Sequence, residues 1–213
     1  MMDLTTVPEE MLTATKLESG NVKVFCRISF PQVFEPHSDD ATYDPGKYTM
    51  DLLIPPEVNI QALKDAAKAV AVEEWGDKLK DIKPVSPFKD AGDKKYEGYI
   101  PGWVNIKAKT NRKPGIVDDG IRDPAGKYIV LKEDNGESVY GGRWAQVTLN
   151  AYAYRKGGKS PKDGVSFSLN NIRLLHHDDS FSGRSRAEDE FDDPAVVSAV
   201  PAAGAAKTAS DLF

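Results

Sequence analysis

Cysteine is almost missing from this chain: Cys26 is the one thiol in 213 residues. That excludes a disulfide framework and a thiolate metal cluster, and it fits a reducing compartment. Histidine is scarce too, with three residues, so nucleophilic catalysis through a histidine base has little to stand on. No apolar run approaches the roughly 18 to 20 residues that span a bilayer. The start, MMDLTTVPEEML, is acidic and has neither the basic nor the apolar region of a secretory signal. An intracellular, soluble protein without a membrane partner is the expectation. Phosphate-binding P-loops, G-x-S-x-G elbows and dinucleotide fingerprints are absent.

A strong charge of either sign is missing as well, since the formal net charge is −5. Taken whole, that value argues against a polyanionic partner, but the charge is unevenly placed. Residues 1–102 carry 12 basic against 18 acidic side chains, residues 103–177 carry 13 against 7, and residues 178–213 carry 3 against 8. The body up to His177 is therefore neutral, its last third is basic, and the net charge belongs to the tail.

What the sequence does have is period-two alternation. In NVKVFCRISF, Val22, Val24, Cys26, Ile28 and Phe30 alternate with Lys23, Phe25, Arg27 and Ser29, and KYTMDLLI repeats the device until Pro55 and Pro56 stop it. From Val58 to about Leu79 the period becomes helical, with Leu63, Ala67, Val70, Ala71 and Trp75 on one stripe. Lys80 to Gly102 reads as a long loop. Strand patterns return in WVNIKAKT, KYIVLKE, the run from Val139 to Tyr154, and GVSFSLNNIRLL. The glycines of RKPGIVDDG read as turns and bulges. Five to six strands, one helix and long loops predict a mostly β (α+β) Greek-key barrel over residues 20–177. A loosely held arm (1–19) precedes it and a disordered acidic tail (178–213) follows.

The side chains assigned to the outer face of these strands carry the functional expectation. Trp144, Gln146, Thr148, Asn150, Tyr152 and Tyr154 oppose a small apolar set on one strand, and Trp103, Asn105, Lys107 and Lys109 share a face on another. Lys23, Phe25 and Arg27 make a third such triplet, and Arg112, Lys113, Arg143, Arg155 and Lys156 flank these strands. Aromatic rings that stack on bases, interleaved with cations that meet phosphates, form a platform for single-stranded DNA. Trp75 and Cys26 are assigned to the core.

Other chemistry is poorly supported. Adjacent His176 and His177, with Asp178 and Asp179, point alternately and lack metal-ligand spacing, so no metal and no cofactor are expected. Asp39/Asp40 and Asp118/Asp119 show no recurrent spacing for two-metal chemistry. A metal-dependent nuclease and a protein-binding adaptor remain the alternatives.

In the tail, Glu188, Asp189, Glu190, Asp192 and Asp193 surround Phe191, and the chain closes on Asp211, Leu212 and Phe213. A tethered acidic peptide can compete with nucleic acid for a basic groove, and a terminal aromatic with its carboxylate can be captured by a basic pocket on a partner.

The segments SVYGGRWAQVTLNAYAYRKGG, GVSFSLNNIRLL, KDAGDKKYEGYIPGWVNIKAKTNRKPGIVD and AEDEF resemble a family of tailed-phage proteins long catalogued as a domain of unknown function, which looks like phage single-stranded DNA-binding proteins. The resemblance implies an oligonucleotide-binding (OB) barrel, non-catalytic binding of single strands in phage replication, recombination and repair in the host cytoplasm, and replication or recombination proteins as partners of the tail. The layout departs from an ordinary OB barrel in one respect. The helix falls between the second and third strand patterns instead of the third and fourth, so either the first strand counts twice or the helix is inserted.

Overall fold

Alternating side chains need two different surroundings, and a closed sheet supplies them. The computed structural model describes residues 2–38, 46–157 and 160–181, which all belong to the first of two units, Met1–Ser182 and Gly183–Phe213. Nine strands form in chain order: β1 (Thr15–Lys16), β2 (Val22–His37), β3 (Lys47–Ile54), β4 (Lys89–Asp90), β5 (Val104–Thr110), β6 (Gly115–Arg122), β7 (Tyr128–Val130), β8 (Trp144–Tyr154) and β9 (Gly164–Leu174). β2, β3 and β5 form an antiparallel meander, β8 pairs with both β2 and β9, and β9 runs parallel to β5 at Ala108 and Phe167. The pairing β2-β3-β5-β9-β8-β2 closes a five-stranded barrel, the Greek-key order of an OB fold.

The inward set is the small and branched one the alternation implied. Val22, Val24, Cys26 and Ile28 of β2 meet Ala145, Val147 and Leu149 of β8, Met50, Leu52 and Ile54 of β3, and Ile106 and Ala108 of β5, all buried. Burial pushes the Cys26 thiol well above its usual range, so it is an inert packing group.

Helix α1 (Gln61–Trp75) packs against β8 through Leu63, Ala67, Ala71 and Trp75, one residue per turn of its buried stripe. Asn59 Oδ1 accepts from the Gln61 N–H at 2.9 Å at its start, and Gly76, at φ +50°, ends it. The helix lies between the second and third barrel strands, so the first strand does not count twice. The β6–β7 hairpin occupies the connection between the third and fourth strands instead.

Three expectations fail locally. The N-terminal arm is packed: Val7 and Ala14 are buried, and Ala14 N–H donates to Asn59 O at 2.8 Å. RKPGIVDDG holds β6, a strand rather than a string of turns, which pairs in parallel with β9 over Asp118↔Leu174 to Gly115↔Asn171. Pro114 and Gly115 start this strand, and its alternation is too short to read beside the two glycines. The 80–102 loop is a wrap: Val85 bridges to Gly164, β4 pairs with β5, and Tyr99 O–H donates to the buried Asp51 at 2.9 Å.

The segment after β9 is likewise seated. Asp178 accepts from Trp144 Nε1–H at 2.8 Å and from the Met2 N–H at 2.8 Å, and lies 3.4 Å from the Arg27 guanidinium. Arg27 also donates to Gly142 O at 2.6 Å and Asp179 O at 2.8 Å. Two glycines make room: a Cβ on Gly98 (φ +79°) would strike the Phe181 ring, and one on Gly142 (φ +113°) would strike Asp179 O.

Burial by itself raises the Asp178 pKa, but the hydrogen bonds from Trp144, Asp179 N–H and Met2 N–H, with the Arg27 charge, bring it down to about 2. A depressed carboxyl stabilises the fold above its unfolded pKa, about 3.9, and that contribution vanishes as pH falls toward 2. Asp178→Asn is expected to cost on the order of 2 kcal/mol at neutral pH, and urea unfolding across pH should show the gap closing between about pH 4 and 2. A gap independent of pH contradicts the ion-pair assignment.

Candidate nucleic-acid interface

The outer face of the barrel divides into a roofed half and an open half. In the roofed half the side chains assigned to a stacking platform form a second core. Phe25 stacks on Trp144 with centroids 5.0 Å apart and planes at 11°, and Trp103 leans on Trp144 at 6.0 Å. Phe25 and Trp144 are 0% exposed and Trp103 is 7% exposed. Arg27 is buried beneath Phe181, its guanidinium 4.4 Å from that ring. Arg143, 1% exposed, donates to Asp118 at 2.7 Å, Ser138 O at 2.8 Å and Leu175 O at 3.1 Å. These five residues were expected to face solvent, and the structure corrects that placement. The 83–103 wrap and the 176–181 segment cover this half of the sheet, a tertiary layer that strand periodicity does not register.

The open half keeps the rest. Lys23 is half-buried, while Lys107, Lys109, Arg112, Lys113, Arg155 and Lys156 are exposed. Tyr152 is 38% exposed, and Tyr154 is half-buried with its hydroxyl over Gly164. Register places these side chains in rows across the strands. Lys107 pairs with Asp51, which like its other neighbour Ser29 is buried under the edge of the wrap, and Thr49 pairs with Gln32 and Lys109. Beyond the parallel β5–β9 contact at Ala108 and Phe167, Ser166 pairs with Tyr152 and Ser168 with Asn150. A band of hydroxyl, amide and ammonium groups thus crosses the barrel.

The band opens into a polar groove of about 440 Å³ lined by Asn21, Thr110, Arg112, Lys113, Asn150 and Ser168, among others. A smaller hollow of about 240 Å³, between Lys23, Gln146, Thr148 and Arg173, adjoins it at Asn171. Asn150 was read on this face from the sequence, whereas Asn170 and Asn171 of the groove were not. These two follow from a bulge in β9 between Leu169 and Asn171, which turns Asn170 and Asn171 outward together.

The cations differ in availability. Lys113 is bonded to Glu133 at 2.7 Å, which raises its pKa, and Arg155 is bonded to Glu74 of α1, which raises its own. Arg173 binds Asp119 and holds that carboxyl below the usual range. Among the described residues, Lys23, Lys107, Arg112 and Lys156 have no carboxylate partner. Charges of this kind cost little to transfer to an incoming anion, because no ion pair must break first.

His177 stacks on Tyr140, and Asp178 is engaged as described. No group of three His, Cys, Asp or Glu among the described residues could hold a metal.

The family described as Enterobacter phage Enc34 ssDNA-binding protein matches residues 16–200. The chain belongs to that family. No protein among the curated ones matches. The fold is similar to the solved single-stranded DNA-binding protein of bacteriophage Enc34. For its C-terminal truncation the TM-score is 0.60 at 18% identity, covering 78% of this chain and 92% of that one. For the complex of that protein with ssDNA the TM-score is again 0.60 at 18% identity, over 79% and 93%.

Within this family member all three tryptophans are shielded, Trp75 and Trp103 at 7% and Trp144 at 0%. Iodide and acrylamide are expected to quench its tryptophan fluorescence weakly in the folded state and strongly after unfolding. Strong iodide quenching of the folded protein would show that the roof is open.

Proposed function

We propose that this chain is a non-catalytic, sequence-tolerant binder of single-stranded DNA in a bacteriophage. Membership of the Enc34 family across residues 16–200 carries the reading, because the open half of the barrel bears what such a ligand needs. The face made by the second and third strands of an OB barrel, with the loops joining strands one to two and four to five, is where oligonucleotides bind such folds. Here that face carries Lys107 and Lys109, and the second of those loops carries Arg155 and Lys156. Phosphates would be met by Lys23, Lys107, Lys109, Arg112, Lys113, Arg155 and Lys156, with Tyr152 and Tyr154 as stacking rings at the band's edge. Arg27, Arg143, Phe25, Trp103 and Trp144 serve by holding the face in shape. Cytoplasmic action in the host, in replication, recombination and repair, fits this role. No helix among the described residues is long and apolar enough to cross a membrane.

We also infer a division of labour along the chain, with a binding domain built on residues 20–177, to which the packed arm and the 178–181 segment also belong, and an acidic tail after it. Glu188, Asp189, Glu190, Phe191, Asp192, Asp193, Asp211, Leu212 and Phe213 lie outside the described residues, and their role rests on charge. An acidic, tethered peptide competes for a basic band and is freed to meet replication or recombination proteins when DNA displaces it.

Single-strand affinity is expected to fall linearly on a log–log salt plot, by about 0.7 per phosphate neutralised, with Lys107→Ala and Arg112→Ala each lowering that slope by about this amount. Labelled strands should remain uncut with Mg²⁺ or Mn²⁺. Deleting residues 187–213 should tighten binding at low salt. Salt-insensitive retention contradicts the phosphate contacts, and unchanged affinity after truncation contradicts competition by the tail.

A further inference from the structure

The described residues expose three large aromatic side chains, Phe30 at 53%, Tyr96 at 55% and Tyr152 at 38%. Tyr152 belongs to the band already discussed. The other two meet at the opposite end of it, ring centroids 5.1 Å apart with planes at 74°, above Tyr99, which lies 5.4 Å from Tyr96. They form one wall of a cleft of about 440 Å³ whose other side is Tyr140, Gly141 and Phe181.

Phe30 is held there by unusual backbone. Its φ is +45°, a left-handed conformation that costs a bulky L-residue, and Pro31 restricts it further. The register of β2 against β3 breaks between Ser29 and Gln32, so Phe30 and Pro31 form a bulge. Bulges re-aim side chains, and this one sends outward a ring that strict alternation would turn inward. A hydrophobic ring kept in a strained conformation and half in water has only its contacts with Tyr96 and Tyr99 to set against that cost. Cations stand outside the lining of the cleft. Lys107 lies two strands from Ser29 through Asp51, about 10 Å at the strand spacing, and exposed Lys95 adjoins Tyr96 in sequence. Among the described residues neither lysine has a carboxylate partner. Glu97 lines the cleft itself, which disfavours a phosphate inside it and leaves the backbone of a bound strand to the side of these lysines.

We propose that the Phe30–Tyr96 cleft is a base-stacking subsite, taking a nucleobase of the single strand whose phosphates run over Lys107 and Lys95. The inference rests on the single-stranded DNA reading and adds to it the rings that do the stacking, in place of the buried tryptophans. An apolar occupant is required by the rings, a planar one suits two exposed aromatics at the cleft mouth, and an anionic linker suits the flanking lysines.

The test uses the full chain and a short oligothymidylate in a salt titration, with a second oligonucleotide carrying 2-aminopurine. Phe30→Gly removes the ring while giving the φ +45° position a residue that adopts it freely, so relief of backbone strain offsets the lost ring contacts and the fold should persist, as thermal unfolding would show. Binding should weaken at least about five-fold with the salt slope unchanged, since no phosphate contact is lost. Tyr96→Ala, at an unstrained position, should weaken binding likewise, and both should diminish the 2-aminopurine quenching seen with the unaltered chain. If the unaltered chain does not retain the oligonucleotide at low salt, the function reading falls and the subsite with it. If it does, and both variants bind and quench like it, the subsite alone is wrong.

Discussion

The knot of Arg27, Asp178 and Trp144 decides what the rest of the outer surface can do. Arg27 stands on the outer face of the first barrel strand, and Trp144 is its register partner on β8. Asp178, arriving after the last strand, accepts from the indole and sits against the guanidinium. A charged pair shielded this well is costly unless every donor finds an acceptor. Here the backbone carbonyls of Gly142 and Asp179 accept from Nε and Nη2 of Arg27, and the N–H groups of Met2 and Asp179 donate to Asp178. The knot ties down the segment after β9, that segment seats Phe181 over Arg27, and Phe181 becomes one wall of the aromatic cleft. Stability of the roof and shape of the cleft are therefore one problem.

The same arrangement sorts the positive charge into two kinds. Arg27 and Arg143 are spent on internal acceptors, and desolvation lowers the Arg27 pKa without removing its charge. Lys107, Arg112, Lys23 and Lys156 keep their charge available on the open half. The formal charge of −5 says little about that surface, because the acid lies partly in internal pairs such as Asp118 with Arg143 and Asp51 with Lys94, and partly in the tail.

Much of the barrel was legible. Alternation over Lys47–Ile54 coincides with the bounds of β3, and the change of period from Val58 announces α1, because each element carries its large apolar side chains at the period of its own backbone. The closing parallel contact between β5 and β9 was not legible, since register across a barrel depends on distant pairings. On the candidate site, the lysines of β5 and of the 155–156 loop stand on the open surface, while Phe25, Trp103 and Trp144 do not. Alternation tells which side of a strand a ring occupies and is silent about a second layer folding over that side. Phe30 failed in the opposite sense: period two puts it inward, and a bulge that leaves no mark except the following proline turns it out. Tyr96 sits in a stretch with no periodicity at all.

On the proposed reading, single-stranded DNA lies on the open band and in the Phe30–Tyr96 cleft, with the tryptophan cluster beneath the roof untouched. Photo-crosslinking of the full chain to 5-iodouracil-substituted single strands, read by peptide mass mapping, tests it directly. The expected adducts are on Phe30, Tyr96 and Tyr152. Adducts concentrated on Trp103 or Trp144 would contradict it.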